Sequence, residues 1–169
     1  AIYIPAEIAK IYEGAKVTGV RVGFGNNATN VKIFVTEDLN GSPIIEESTT
    51  DCVRGMKNIS FTTGSYTITE KGFYVGYSCT SATADSPIGI SDLYDENGCW
   101  ADLGDGWKNY SADPAYNSSA LCIFARIKGD NLPKDFALLD VNSLAQRTVT
   151  PFTISGTLMS RSPKLGRVF

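Results

Sequence analysis

The chain has 169 residues, 43% of them hydrophobic and 20% charged, with a net charge of -3 and a pI near 4.9. This is enough for one domain, or one domain plus a piece of a neighbour, whose core needs neither metal nor disulfide to fold. This net charge and pI give no electrostatic footprint for nucleic acid, whose binding usually wants a basic stripe, and no apolar run approaches the ~18 residues that cross a bilayer.

The opening residues carry no charged-then-apolar secretion signal. A short strand over residues 1–4 is expected first. Pro5 then stands at a helix N1 position, Ile8, Ile11 and Tyr12 recur at helical spacing, and Gly14 can end the helix in a left-handed conformation. Residues 16–38 alternate apolar and polar residues on either side of Gly25-Asn26-Asn27. Val20, Val22 and Phe24 share one face, and Val31, Ile33 and Val35 share another, the pattern of two half-buried antiparallel strands.

Further strands are expected over Ile44–Ser48, Lys57–Thr62, Ser65–Thr69, Phe73–Cys79, Cys99–Leu103 and Ala120–Lys128. The stretches beginning at Phe73 and Ala120 are nearly apolar throughout, as suits central strands covered on both sides. Strands this short and frequent favour a sandwich or jelly roll. Between Ser81 and Ser119 the alternation fades into long loops, the usual place for recognition on a β-scaffold. Gly129-Asp130-Asn131-Leu132-Pro133-Lys134-Asp135 reads as a linker, with strands expected over Phe136–Val141 and Val149–Leu158 and a basic tail beyond. These are too few for an independent core.

Cys52, Cys79, Cys99 and Cys122 include no CxxC pair, so structural zinc is not expected. They read first as small buried hydrophobes. If one disulfide exists, Cys79 with Cys122 is the best pair, because each lies in a strong strand pattern and the two strands could be neighbours. Asn-x-Ser/Thr triplets begin at Asn27, Asn40, Asn58, Asn109 and Asn117. Most are turn positions, where Asn belongs on conformational grounds.

In order along the chain, several segments resemble the cleaved-adhesin type jelly-roll domain of Bacteroidetes secreted and surface proteins. The opening Ile2-Tyr3-Ile4-Pro5 through Gly14, the strands from Val17 and Thr29, Gly72-Phe73-Tyr74 and Pro87-Ile88-Gly89-Ile90 carry the resemblance. So do Gly106-Trp107-Lys108 and Ala125-Arg126-Ile127-Lys128-Gly129 with Asn131-Leu132-Pro133. It covers roughly residues 1–133. The resemblance implies an all-β, jelly-roll β-sandwich, similar to galactose-binding-like and MAM-type domains, with one short N-terminal helix and extra C-terminal strands. It also implies a place outside the cell or on its surface, within a larger secreted or adhesion protein. The expected division is 1–130 for the sandwich and 131–169 for a linker and short strands. The latter look like the start of a following immunoglobulin-like domain, through Phe152-Thr153-Ile154-Ser155.

With no histidine, Ser-His-Asp and Cys-His machinery is excluded within the chain. Gly23-Phe24-Gly25-Asn26-Asn27-Ala28 imitates a dinucleotide fingerprint, but a strand rather than a helix N-terminus follows. No motif selects a carboxylate pair among the 18 acidic residues, so no catalytic residue is assigned and the chain is expected not to be an enzyme. Asp92, Asp95, Asn97, Asp102 and Asp105 are hard oxygen donors on Gly-containing loops, which suit a structural calcium ion, though no cofactor is required. Related adhesin modules carry such an ion. The competing reading is that these residues form solvated Asx-turns.

Tyr94, Trp100, Tyr110 and Tyr116 offer flat faces that could stack on sugar rings, whereas Trp107, inside the resembling segment, reads as a plug at a sandwich end. Two functions follow from different classes. One is a non-catalytic binding or adhesion module for glycan or for a host or matrix protein, with no nucleic acid partner and no membrane insertion. The other is a structural or assembly module that associates through edge strands or through residues 134–169.

Overall fold

The computed structural model describes residues 1–81, 86–91, 94–113, 120–130 and 132. Among the described residues the protein is mostly β, with 48% in strands and 6% in helix. Strand β1 (Ile2–Ile4) leads to helix α1 (Ala6–Ala9), which continues as a 3-10 turn over Lys10–Tyr12. Pro5 is the N-cap of α1 rather than its first residue, and its carbonyl accepts from the Ile8 and Ala9 amides. Gly14 at φ 81° reverses the chain, a conformation that a Cβ disfavours.

Strands β2 (Lys16–Phe24), β3 (Ala28–Thr36), β4 (Ile45–Ser48), β5 (Gly55–Ser60), β6 (Tyr66–Thr67) and β7 (Phe73–Ser81) follow. The last are β8 (Trp100–Asp102), β9 (Trp107–Asn109) and β10 (Ile123–Lys128). They form antiparallel sheets: sheet A in the order β1-β7-β3-β4, sheet B in the order β10-β2-β5 with β6 also on β2, and the β8-β9 pair. The expected alternation of β2 and β3 holds. Val20, Val22, Val31, Ile33 and Val35 are fully buried, and Phe24 is nearly so.

These two strands do not pair with one another. β2 belongs to sheet B and β3 to sheet A, so Gly25-Asn26-Asn27 carries the chain from one sheet to the other. Each strand shows its apolar face to the same interior, and residues of both sheets form one buried cluster with Ile4, Phe73, Val75 and Ile123. Burial of β-branched residues on both inward faces is the main favourable term, at ~25 cal/mol per Å² of apolar surface.

The expectation for the Phe73 stretch holds, since β7 lies between β1 and β3. The expectation for the Ala120 stretch does not. Among the described residues β10 is an edge strand, with Ile123 and Ala125 buried and Arg126 exposed. Its apolar run is one inward face plus Phe124, which lies beside the Arg21 guanidinium. All four cysteines are free thiols. The proposed neighbours Cys79 and Cys122 belong to different sheets, Cys79 within β7 and Cys122 immediately before β10. The strand pair β8-β9 includes Trp107–Asn109, which the sequence pattern did not mark. The strands expected over Phe136–Val141 and Val149–Leu158 lie outside the described residues.

The centre of sheet B is unusually close. An added Cβ at Gly19 would overlap the Ile59 backbone carbonyl on β5 and come 2.8 Å from the Ser60 Cα. Backbone cannot rotate away as a side chain can. Gly19→Ala is therefore expected to cost about 1–3 kcal/mol of stability, read as a lower urea midpoint with an unchanged slope. An unchanged midpoint would show that the two strands can separate freely.

Candidate functional site

The irregular end of the molecule is organised by backbone hydrogen bonds around β8 and β9. Ala1 and Trp100 exchange bonds, amine to carbonyl at 2.6 Å and Trp100 amide to Ala1 carbonyl at 2.9 Å. The Tyr3 amide donates to the Asn97 carbonyl at 2.8 Å, and the Leu121 amide to the Gly98 carbonyl at 2.8 Å. The loop of residues 94–98 is thus tied to β1 on one side and to the approach of β10 on the other.

Against this loop lies the turn after β9. The Asn109 side chain donates to the Glu96 carbonyl at 2.9 Å and accepts from the Ser111 amide at 2.9 Å. Buried Ser111 accepts the Cys99 amide on its hydroxyl at 3.0 Å. Between the two segments is an open depression of about 390 Å³ lined by Tyr94, Glu96, Asn97, Asn109, Ser111 and Ala112. Its walls are mainly polar. They can hydrogen-bond a ligand's hydroxyls, while Tyr94, 46% exposed, offers part of a ring face.

The structure therefore brings together Tyr94 and Asn97 of the sequence-derived residues. Trp100 is half-buried, edge-on to Tyr74 with centroids 5.4 Å apart, and its indole Nε1 is buried without an acceptor among the described residues. Tyr110 packs against the core. Trp107 stands edge-on to Phe34 at 6.0 Å, on the face of β3 opposite the inward Ile33 and Val35. Tyr116 and Asp92 lie outside the described residues. Glu96, Asn109 and Ser111 were missed as site residues. For Glu96 the signal is the acidic loop stretch between Asp92 and Trp107, and for Asn109 and Ser111 the Asn109-Tyr110-Ser111 triplet, whose pattern reads as a turn.

The remaining acidic candidates act locally. Asp95 accepts the Asn97 amide at 2.8 Å, and Asp102 accepts the amides of Gly104 and Gly106 at 2.8 and 3.0 Å. Asp105 pairs with Lys108, whose ammonium holds the carboxyl below the usual carboxylate range and is itself raised by the bond. The contacts of Asp95 and Asp102 are those of Asx-turns, and that of Asp105 is an exposed ion pair. Among the described residues no three His, Cys, Asp or Glu side chains converge as a metal site would need. Burial pushes all four thiols up, so each is held in the protonated form, the weaker nucleophile.

Comparison with protein-family models, with curated proteins and with solved structures gives no match to this chain. Among the described residues no helix is long and apolar enough to cross a membrane.

Proposed function

We propose that the chain is a non-catalytic binding module of jelly-roll type, displayed outside the cell within a larger surface protein, which recognises glycan through the loop depression. What carries the reading is the cluster of Tyr94, Glu96, Asn97 and Asn109 around one open polar hollow. A carboxylate, amides and an exposed phenol ring are the groups that bind sugar hydroxyls and a sugar face. The hydrogen bonds that fix Asn109 between Glu96 and Ser111 hold the hollow open before a ligand arrives, which lowers the ordering cost of binding.

A glycan array probed with the full chain tests this, with hits followed by titration. Tyr94→Ala and Glu96→Gln are each expected to weaken binding by roughly tenfold, the scale of one lost stacking contact or charged hydrogen bond. Binding that survives both changes intact would refute the site. No binding to any glycan, together with concentration-dependent association, would favour the assembly reading through the outer edges of β4 and β5. Those edges are unpaired among the described residues.

A further inference from the structure

Sheet B carries an unusual charge distribution. Its strands β2, β5 and β10 contain no Asp or Glu, although the chain has 18 acidic residues, and they carry Lys16, Arg21, Lys57, Arg126 and Lys128. Arg21 lies between the buried Val20 and Val22, so it points away from the core, as do Phe124 and Arg126 on the neighbouring strand. The register places Arg126 opposite Gly19 and Phe124 opposite Arg21. The two arginines are diagonal neighbours, about 7–8 Å apart at the backbone.

Among the described residues neither guanidinium meets a carboxylate. The ion pairs among the described residues are Lys32 with Glu46, Lys71 with Glu37 and Lys108 with Asp105. Arg126 passes over Gly19 to donate to the Ser60 hydroxyl at 2.8 Å. Arg21 lies 6.0 Å from the centre of the Phe124 ring, and its Nε is buried with no acceptor among the described residues. A donor withdrawn from water and left without an acceptor is costly, and an anion would satisfy it. Exposed Asn58, opposite Arg21, and Ser60 add neutral hydrogen-bonding groups to the same face.

We propose that the outer face of sheet B is a docking surface for an acidic polysaccharide, whose carboxylate or sulfate groups are held by Arg21 and Arg126. It is distinct from the loop depression and does not depend on it. The charge balance favours a sparsely charged polymer. Duplex nucleic acid, with one charge per ~1.7 Å of axis, would extend its repulsion over the acidic remainder of a chain of net charge -3. A sugar polymer instead presents its anions at intervals, with hydroxyls between them for Asn58 and Ser60.

The test titrates the full chain with polygalacturonate, sparsely sulfated dextran, neutral dextran and polyglutamate at two salt concentrations. Binding to one or both acidic polysaccharides, weakening with salt, is expected, and the one preferred identifies the anion. The Arg21→Gln Arg126→Gln variant is expected to lose roughly tenfold or more in affinity. The charge-matched Lys32→Gln Lys71→Gln variant, altered on residues outside sheet B, is expected to bind as the parent does. If the double arginine variant fails to fold, exposed Arg126→Gln alone is the readout, with a loss of roughly threefold or more expected. Equal losses in the two charge-matched variants, or equal binding of neutral dextran, would overturn the proposal. Polyglutamate binding as tightly with the same arginine dependence would overturn its sugar component.

Discussion

Phe73→Ala is expected to lower the free energy of unfolding by about 3–5 kcal/mol. Phe73 opens β7, opposite Ile4 of β1, and is fully buried. Its ring lies 5.0 Å from that of Tyr66, the β6 residue that pairs with Val17 of sheet B. Truncation removes the contact between the two sheets at that end and leaves a cavity that rigid strands on either side cannot fill. Ile44→Ala, at a side chain 54% exposed, is expected to change stability by no more than about 0.5 kcal/mol. Urea unfolding of both variants checks the contrast. A Phe73→Ala cost below ~1 kcal/mol would mean that this end of the core collapses readily.

The second large effect is one of pH. In the 169-residue polypeptide the Ala1 amine is buried beside Trp100, and desolvation lowers its pKa from 8.0 to about 5. The unfolded chain therefore takes up this proton as pH falls below 8, while the folded chain resists until about pH 5. Since the unfolded state binds more protons across that window, stability rises with pH through it. Three pKa units correspond to about 4 kcal/mol between pH 5 and pH 8. The chain has no histidine to titrate in this window, and its four thiols, raised from 9.0 by burial, oppose the gain only as pH climbs past 8 and the unfolded thiols ionise. Denaturant melts at pH 5, 6.5 and 8 should show a steady gain. A flat profile would mean that the amine reaches water in the folded state.

Much of the strand content was legible because a period of two is written directly in β2 and β3, and a nearly continuous apolar run in β7. Val20, Val22, Val31, Ile33 and Val35 all went to the interior as the alternation required. Partnership was not legible. Alternation states which face of a strand is greasy, and a turn between two such strands serves equally to fold them side by side or to place them in facing sheets. The Gly25-Asn26-Asn27 segment does the second. Likewise the run around Ile123 is apolar because Phe124 flanks Arg21, not because its strand has neighbours on both sides.

At the candidate site the aromatics singled out in the sequence and the residues that line the hollow overlap only at Tyr94. Trp100 and Tyr110 are packed against Tyr74 and the core, whereas the hollow is built mainly from short polar side chains whose usefulness comes from backbone tethering. Tethers such as Tyr3 to Asn97 join positions distant in the chain, which no local pattern encodes.

The crossing between sheets after β2 has a further bearing on how the molecule assembles as it is synthesised. β3 with β4 and β8 with β9 close locally, but β1 must await β7, and β2 cannot gain its β10 partner until nearly the whole described chain exists. Ala1 finds Trp100 only 99 positions later. Closing such wide loops precedes any reward in contacts, so folding on the order of milliseconds to seconds is expected rather than microseconds. In the interval β2 leaves the ribosome as a greasy ribbon with both flanks bare. The arginine, lysine and glycines along it then act as brakes on premature aggregation.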